Sequence, residues 1–169
     1  MMLENFGSWW KDKTSPEKKQ TPETQPHFKQ SQLKVSTNIK DVEKVLEWFE
    51  QFNQSPMEAN VWWKCQTALV EGFTNAVRHA HKNLPSHTPI ELEVKVFAKY
   101  LEIRIWDYGQ PFDFSAKLQE ILDNPPMDPL QKEGGRGLIF MKKLTDHLEY
   151  SRGADERNCL LMRKNFDCE

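Results

Sequence analysis

Two short runs in this chain alternate strictly between apolar and polar residues. Ile90-Glu91-Leu92-Glu93-Val94-Lys95-Val96 places an apolar side chain at every even position, and Leu101-Glu102-Ile103-Arg104-Ile105-Trp106 takes up the alternation after a short gap. A period of two belongs to a strand with one buried face, and two such runs joined near Ala98-Lys99-Tyr100 predict an antiparallel hairpin. A sheet with one apolar face needs a second layer to cover it.

The covering layer is written on both sides of the hairpin. Ile39, Val42, Val45, Leu46 and Phe49 fall at helical spacing behind Asn38, a suitable N-cap. Ser55-Pro56 interrupts, and a longer helix is expected from about Met57 to Lys82. On a wheel of about 100° per residue, Trp62, Leu69, Phe73, Val77 and Ala80 share one face. Lys64, Glu71, Asn75, Arg78 and Lys82 form a contiguous polar stripe opposite.

Further strands are expected at Leu33–Thr37, His147–Arg152 and Asn158–Lys164. A short helix is expected at Ser115–Asp123 within the proline-interrupted stretch Tyr108–Glu133, and another beginning at Leu138. A loop of that length in a compact domain is usually functional, and a lid that orders with ligand is the expectation here. The order of elements predicts an α+β sandwich with helices on one face of a mostly antiparallel sheet.

Residues 1–32 read as a linker-like or disordered arm, with Pro16, Pro22 and Pro26 among polar residues, and residues 33–169 as the domain. Phe6, Trp9 and Trp10 stand at the start of the arm without the basic and apolar regions of a secretory signal. A net charge of −2 and the lack of a long basic patch argue against nucleic acid as partner. No apolar run approaches the roughly 20 residues of a membrane span. Three scattered cysteines, Cys65, Cys159 and Cys168, form no disulfide framework or zinc pattern. The expectation is a cytoplasmic protein.

Three segments carry chemistry. In Glu71-Gly72-Phe73-Thr74-Asn75-Ala76-Val77-Arg78-His79-Ala80, Glu71 and Asn75 lie one turn apart on one face. An amide oxygen suits Mg²⁺ beside phosphates, and a carboxylate suits a hydroxyl awaiting deprotonation. Asp107-Tyr108-Gly109-Gln110-Pro111-Phe112 follows a strand, where a carboxylate accepts from an exocyclic amine and Gly109 lets backbone approach a flat base. Gly134-Gly135-Arg136-Gly137-Leu138 precedes a helix, and its backbone N–H groups suit an anion. Each alone is commonplace: a solvated helix face, an Asp-x-Gly turn, a flexible glycine loop. The third fits neither a Walker loop nor a dinucleotide fingerprint.

Their order and spacing raise them above chance. Glu71-x-x-x-Asn75-Ala76-x-x-His79-Ala80 resembles the N box of the GHKL ATPase/kinase superfamily. Asp107-x-Gly109-x-Pro111-Phe112 resembles its first glycine box, and Gly134-Gly135-Arg136-Gly137-Leu138-x-x-Met141 its second. The resemblance covers roughly Leu33–Lys164. With Leu144 and Asp146 completing the last motif, the chain is similar in particular to the anti-sigma-factor serine/threonine kinases of the RsbW and SpoIIAB type.

That resemblance implies a Bergerat-type sandwich on a mixed, mostly antiparallel sheet. It implies ATP and Mg²⁺ as cofactors, with Glu71 as catalytic base and Asn75 as metal ligand. Asn75, Asp107, Gly109, Gly134, Gly135, Arg136, Gly137 and Leu138 would contact the nucleotide, with Asp107 on adenine. The implied partners are a small antagonist protein as substrate and a sigma factor, and the implied assembly is a homodimer. The alternative is a nucleotide-gated binding switch with little turnover. The catalytic domain of a histidine kinase is the weaker reading, because residues 1–32 hold no phosphoacceptor helix pair. One departure stands out. The family's last strand carries Gly-Thr, its Thr supporting the adenine site, where this chain has Asn158-Cys159. A thiol at that place donates weakly, and water would make up the difference.

Overall fold

The computed structural model describes residues 29–53, 57–125 and 135–166. Gly134, most of the expected arm and the end of the Tyr108–Glu133 loop lie outside the described residues.

Five strands form one sheet: β1 (Lys29–Val35), β2 (Ile90–Val96), β3 (Tyr100–Asp107), β4 (His147–Arg152) and β5 (Asn158–Asn165), in the order β1-β2-β3-β5-β4. The four pairings are all antiparallel, where the sequence reading expected a mixed but mostly antiparallel sheet. The hairpin opposes Leu92 to Ile105 and Val94 to Ile103, and both pairs are buried. This is the register that the alternation demands, since a slip of one residue would turn Glu93 and Arg104 into the core.

β1 begins at Lys29, ahead of the expected Leu33. Its early residues give no apolar signal because Gln30 and Gln32 lie on the open face of the sheet, where both amides donate to Glu93 Oε1 at 2.7 and 2.8 Å. Much of the rest of that face is ionic. Glu102 takes Arg104 at 2.8 Å and Arg163 at 3.0 Å, and Arg157 bonds Glu91 at 2.6 Å.

The other face carries the core. Asn38 caps a 3₁₀ turn, Ile39–Asp41, accepting from Lys40 N–H at 3.0 Å, and α1 (Val42–Phe49) follows. α2 (Ala59–Asn75) buries Trp62, Cys65, Leu69, Gly72 and Phe73 in one stripe. Phe49 of α1 stacks on Trp62 of α2 at 4.4 Å, which joins the two helices over the sheet. Gly72 sets how closely α2 approaches: a Cβ there would stand 2.6 Å from Ile105 Cδ1 and 3.1 Å from Met162 Cε. The remaining helices are α3 (Phe114–Asp123), capped by Asp113 on Ala116 N–H at 2.9 Å, and α4 (Arg136–Leu144), which packs along α2.

The long helix differs from its sequence reading at one end. The α-helix stops at Asn75, and Ala76–Ala80 form a π turn closed by His81 N–H on Ala76 O at 2.9 Å. A widened turn of this kind changes the direction in which the following side chains leave the helix. Here it carries His79 and Ala80 toward the end of β3.

Candidate active site

Glu71 and Asn75 sit on the last α-helical turn of α2, both half-buried, and face the start of α4. Gly137, in the first turn of α4, lies directly against them. A Cβ at Gly137 would be 2.9 Å from Glu71 Oε2 and 3.0 Å from Asn75 Oδ1. The third segment therefore meets the first at the backbone of Gly137. Gly135 is the N-cap of α4 and packs over Ile121 of α3, and Leu138 is buried against the core. Arg136 lies over the Phe140 ring at 5.8 Å.

The second segment meets the first at Gly109, where a Cβ would stand 2.5 Å from Ala80 O. Asp107 is buried at the end of β3. Its Oδ1 accepts from Gly109 N–H at 2.8 Å and from Asn158 Nδ2 at 2.9 Å. Asn158 is fully buried, and its Nδ2 also donates to Gly109 O at 2.9 Å. Its Oδ1 accepts from Arg152 Nη1 at 3.1 Å.

This corrects the sequence reading of the last strand. Successive side chains of a strand point to opposite faces. Asn158 points into the helix layer toward Asp107, while Cys159 lies on the other face with Trp106 and Arg157. The residue beside the carboxylate is thus a full amide rather than a weak thiol. Burial raises the Cys159 thiol to about 11, so it remains protonated.

A third residue was not singled out in the sequence. His81 is 1% exposed and accepts from Tyr108 N–H through Nε2 at 2.8 Å. Its Nδ1 lies 2.7 Å from Thr37 Oγ1, whose hydroxyl donates to Thr88 O at 2.7 Å. With its proton so committed, Thr37 Oγ1 accepts, and His81 is the neutral Nδ1–H tautomer. Burial lowers its pKa, against a weaker opposing effect of Asp107. Sequence offered no motif for this, because the contact joins the π turn to a loop across the sheet end.

Between these groups lies a cavity of about 60 Å³. Asn75, His79 and Asp107 supply its polar edge, and Ile105, Leu138 and Met141 are among its apolar walls. Phe112, Phe114 and Tyr150 form an aromatic cluster on one side, with Phe114 stacked on Tyr150 at 5.5 Å. Burial, with Asp107 nearby, raises the Tyr150 hydroxyl to about 12. Ligand pockets usually measure roughly 300–1,000 Å³. This cavity is smaller, and Phe112 on the loop is its half-exposed aromatic wall.

The model of one protein family, described as a histidine kinase-like ATPase domain, matches residues 35–164. The chain belongs to this family. The match takes in all three segments, so the histidine kinase-like ATPase domain includes Glu71, Asn75, Asp107 and the start of α4. Among curated relatives, the serine-protein kinase RsbW of Bacillus subtilis is 35% identical over 83 residues, 48% of this chain and 51% of that protein. The protein of the same name from Staphylococcus epidermidis is 36% identical over 84 residues, 48% and 52% of the two chains. The chain thus spans about half the length of the curated relatives it matches. A chain from the solved SiaB–SiaC complex of Pseudomonas aeruginosa superposes with a TM-score of 0.55 at 11% identity, covering 79% of this chain and 89% of that one. That likeness bears on the fold alone. Among the described residues, no helix is long and apolar enough to cross a membrane.

Proposed function

We propose that this protein is an ATP-dependent serine/threonine kinase and anti-sigma factor that phosphorylates a small antagonist protein. The observation that carries the reading is the meeting of Glu71 and Asn75 with the backbone of Gly137, beside a cavity that Asn75 and Asp107 both line. Phosphoryl transfer needs positioning and charge neutralisation more than covalent chemistry, and these elements provide both. The names of the curated relatives support the same activity.

Asp107 would accept a hydrogen bond from the adenine amine, and the backbone N–H groups at the start of α4 would face the phosphates. Asn75 fits Mg²⁺: its amide oxygen is a hard donor and its side chain makes no capping bond. A Mg²⁺ ion held there with the phosphates would neutralise their charge. Glu71 would take the proton of the acceptor serine hydroxyl as its oxygen bonds to the γ-phosphorus and ADP departs. Gly134, in the same loop, belongs to this reading on sequence grounds. The sigma factor, the cytoplasmic setting and a homodimer belong to this proposal, the sigma factor and the homodimer on the family resemblance.

Titration calorimetry with ATP and Mg²⁺, followed by transfer of labelled γ-phosphate to a candidate antagonist carrying an acceptor serine, tests the proposal. Saturable binding and label on the antagonist are expected. Binding without label, with ATP still altering partner affinity, would replace the kinase with the nucleotide-gated switch.

A further inference from the structure

Asp107 Oδ1 has two lone pairs, and both are taken: Gly109 N–H reaches it at 2.8 Å and Asn158 Nδ2 at 2.9 Å. The amide of Asn158 has one possible orientation. Arg152 only donates, so the oxygen of Asn158 must face Arg152 and the NH₂ must face Asp107 and Gly109. Arg152 sits on β4 directly opposite Asn158 in the register, so the sheet itself fixes this chain of bonds. Only Oδ2 of Asp107 is left to accept from a ligand among the described residues.

From this we infer that Asn158 is a specificity-determining residue, which narrows Asp107 to a single acceptor and so selects adenine over guanine nucleotides. The inference rests on the nucleotide reading above. Adenine offers one exocyclic amine, which a single oxygen satisfies. Guanine placed the same way turns O6 toward the carboxylate and is repelled. Its productive pose slides the base until N1–H and N2–H face both carboxylate oxygens, and Asn158 already occupies the second. Asn158 acts through Asp107 and is a positioning residue.

The test compares equilibrium binding of ATP, GTP and ITP to the wild type, Asn158→Ala, Asn158→Thr and Arg152→Ala. ITP has the O6 and N1–H of guanine but no N2 amine, so the GTP to ITP ratio reports whether the second oxygen is free. In Asn158→Ala, GTP should gain on ITP by about tenfold, the usual worth of a hydrogen bond to a charged group. Asn158→Thr restores a donor and should return the ratio close to that of the wild type. Arg152 is exposed, so Arg152→Ala should fold even if Asn158→Ala does not. The NH₂ of Asn158 keeps both its acceptors, Asp107 Oδ1 and Gly109 O, so the amide holds its orientation and the ratio should stay at the wild-type value. A parallel loss for all three nucleotides, with the ratio unchanged in Asn158→Ala or, should that variant not fold, in the near-isosteric Asn158→Leu, overturns the inference and leaves Asn158 a structural residue. A wild type that binds no ATP overturns the nucleotide reading itself.

Discussion

Gly137 and Glu71 stand so close that a single added methyl group would lie 2.9 Å from the Glu71 carboxylate. Asn75 Oδ1 is as near, at 3.0 Å. The contact needs no unusual backbone at Gly137. It needs the missing side chain, which leaves two oxygens of α2 open to whatever binds at the start of α4.

Gly137→Ala should therefore fold and fail to work. The atoms the new methyl meets are the ends of two flexible side chains, which swing aside at small cost, and alanine favours the helix by up to about 1 kcal/mol. Thermal unfolding should change little. Phosphoryl transfer should fall at least about tenfold, because a misplacement near 1 Å costs this much or more. Unchanged turnover in the labelled-phosphate assay would remove Gly137 from the site.

Glu71 and Asn75 should separate in their kinetics. Glu71→Gln keeps the shape and removes the base, so ATP binding should stay near the wild-type value while transfer drops by about a hundred- to ten-thousand-fold. Asn75→Ala removes the oxygen suited to Mg²⁺ and should weaken Mg²⁺–ATP binding itself. Calorimetry and the transfer assay on both variants give the comparison. Equal loss of binding in the two would merge the roles proposed for them.

Gly109→Ala should behave differently from Gly137→Ala. Its methyl would lie 2.5 Å from Ala80 O and 2.8 Å from Ala80 Cα, and backbone at the end of the π turn has nowhere to move. Overpacking of this kind costs about 1–3 kcal/mol. The strain falls on the loop that carries Asp107, so urea midpoint and ATP affinity should decline together. Full stability with normal affinity would show that the loop adapts freely.

Acid should act on the same loop through His81. The ordinary histidine value is 6.5, and burial holds the folded protein's value below it. The unfolded chain thus takes up its proton first as pH falls. The stabilising effect of neutral His81 is complete above pH 6.5 and is lost as pH falls through the folded value. Protonated Nε2 would then face Tyr108 N–H, donor against donor. Urea unfolding between pH 8 and 5 should show a steeper loss for the wild type than for His81→Gln. The variant should itself be less stable at pH 8 by about 1–3 kcal/mol, since it leaves buried groups unpaired. Matching pH slopes would rule out His81 as their source.

The sequence by itself determined the sheet and most of its cover. Alternation in β2 and β3 wrote the hairpin register, and the 3.6-residue stripe from Trp62 to Phe73 wrote the buried face of α2. Both are local periodicities, imposed by which face must leave water. Sequence also marked Glu71, Asn75, Asp107 and the glycines before α4, because their spacing within each segment is itself the motif. The tertiary structure decided what lies between segments. The start of β1 was hidden because Gln30 and Gln32 are satisfied by Glu93, 63 and 61 residues away. The π turn after Asn75, the Tyr108–His81–Thr37 link and the choice of Asn158 over Cys159 beside Asp107 depend on contacts between distant parts of the chain. A hydrogen bond has direction as well as partners, and that direction exists only once helix and strand have been packed against each other.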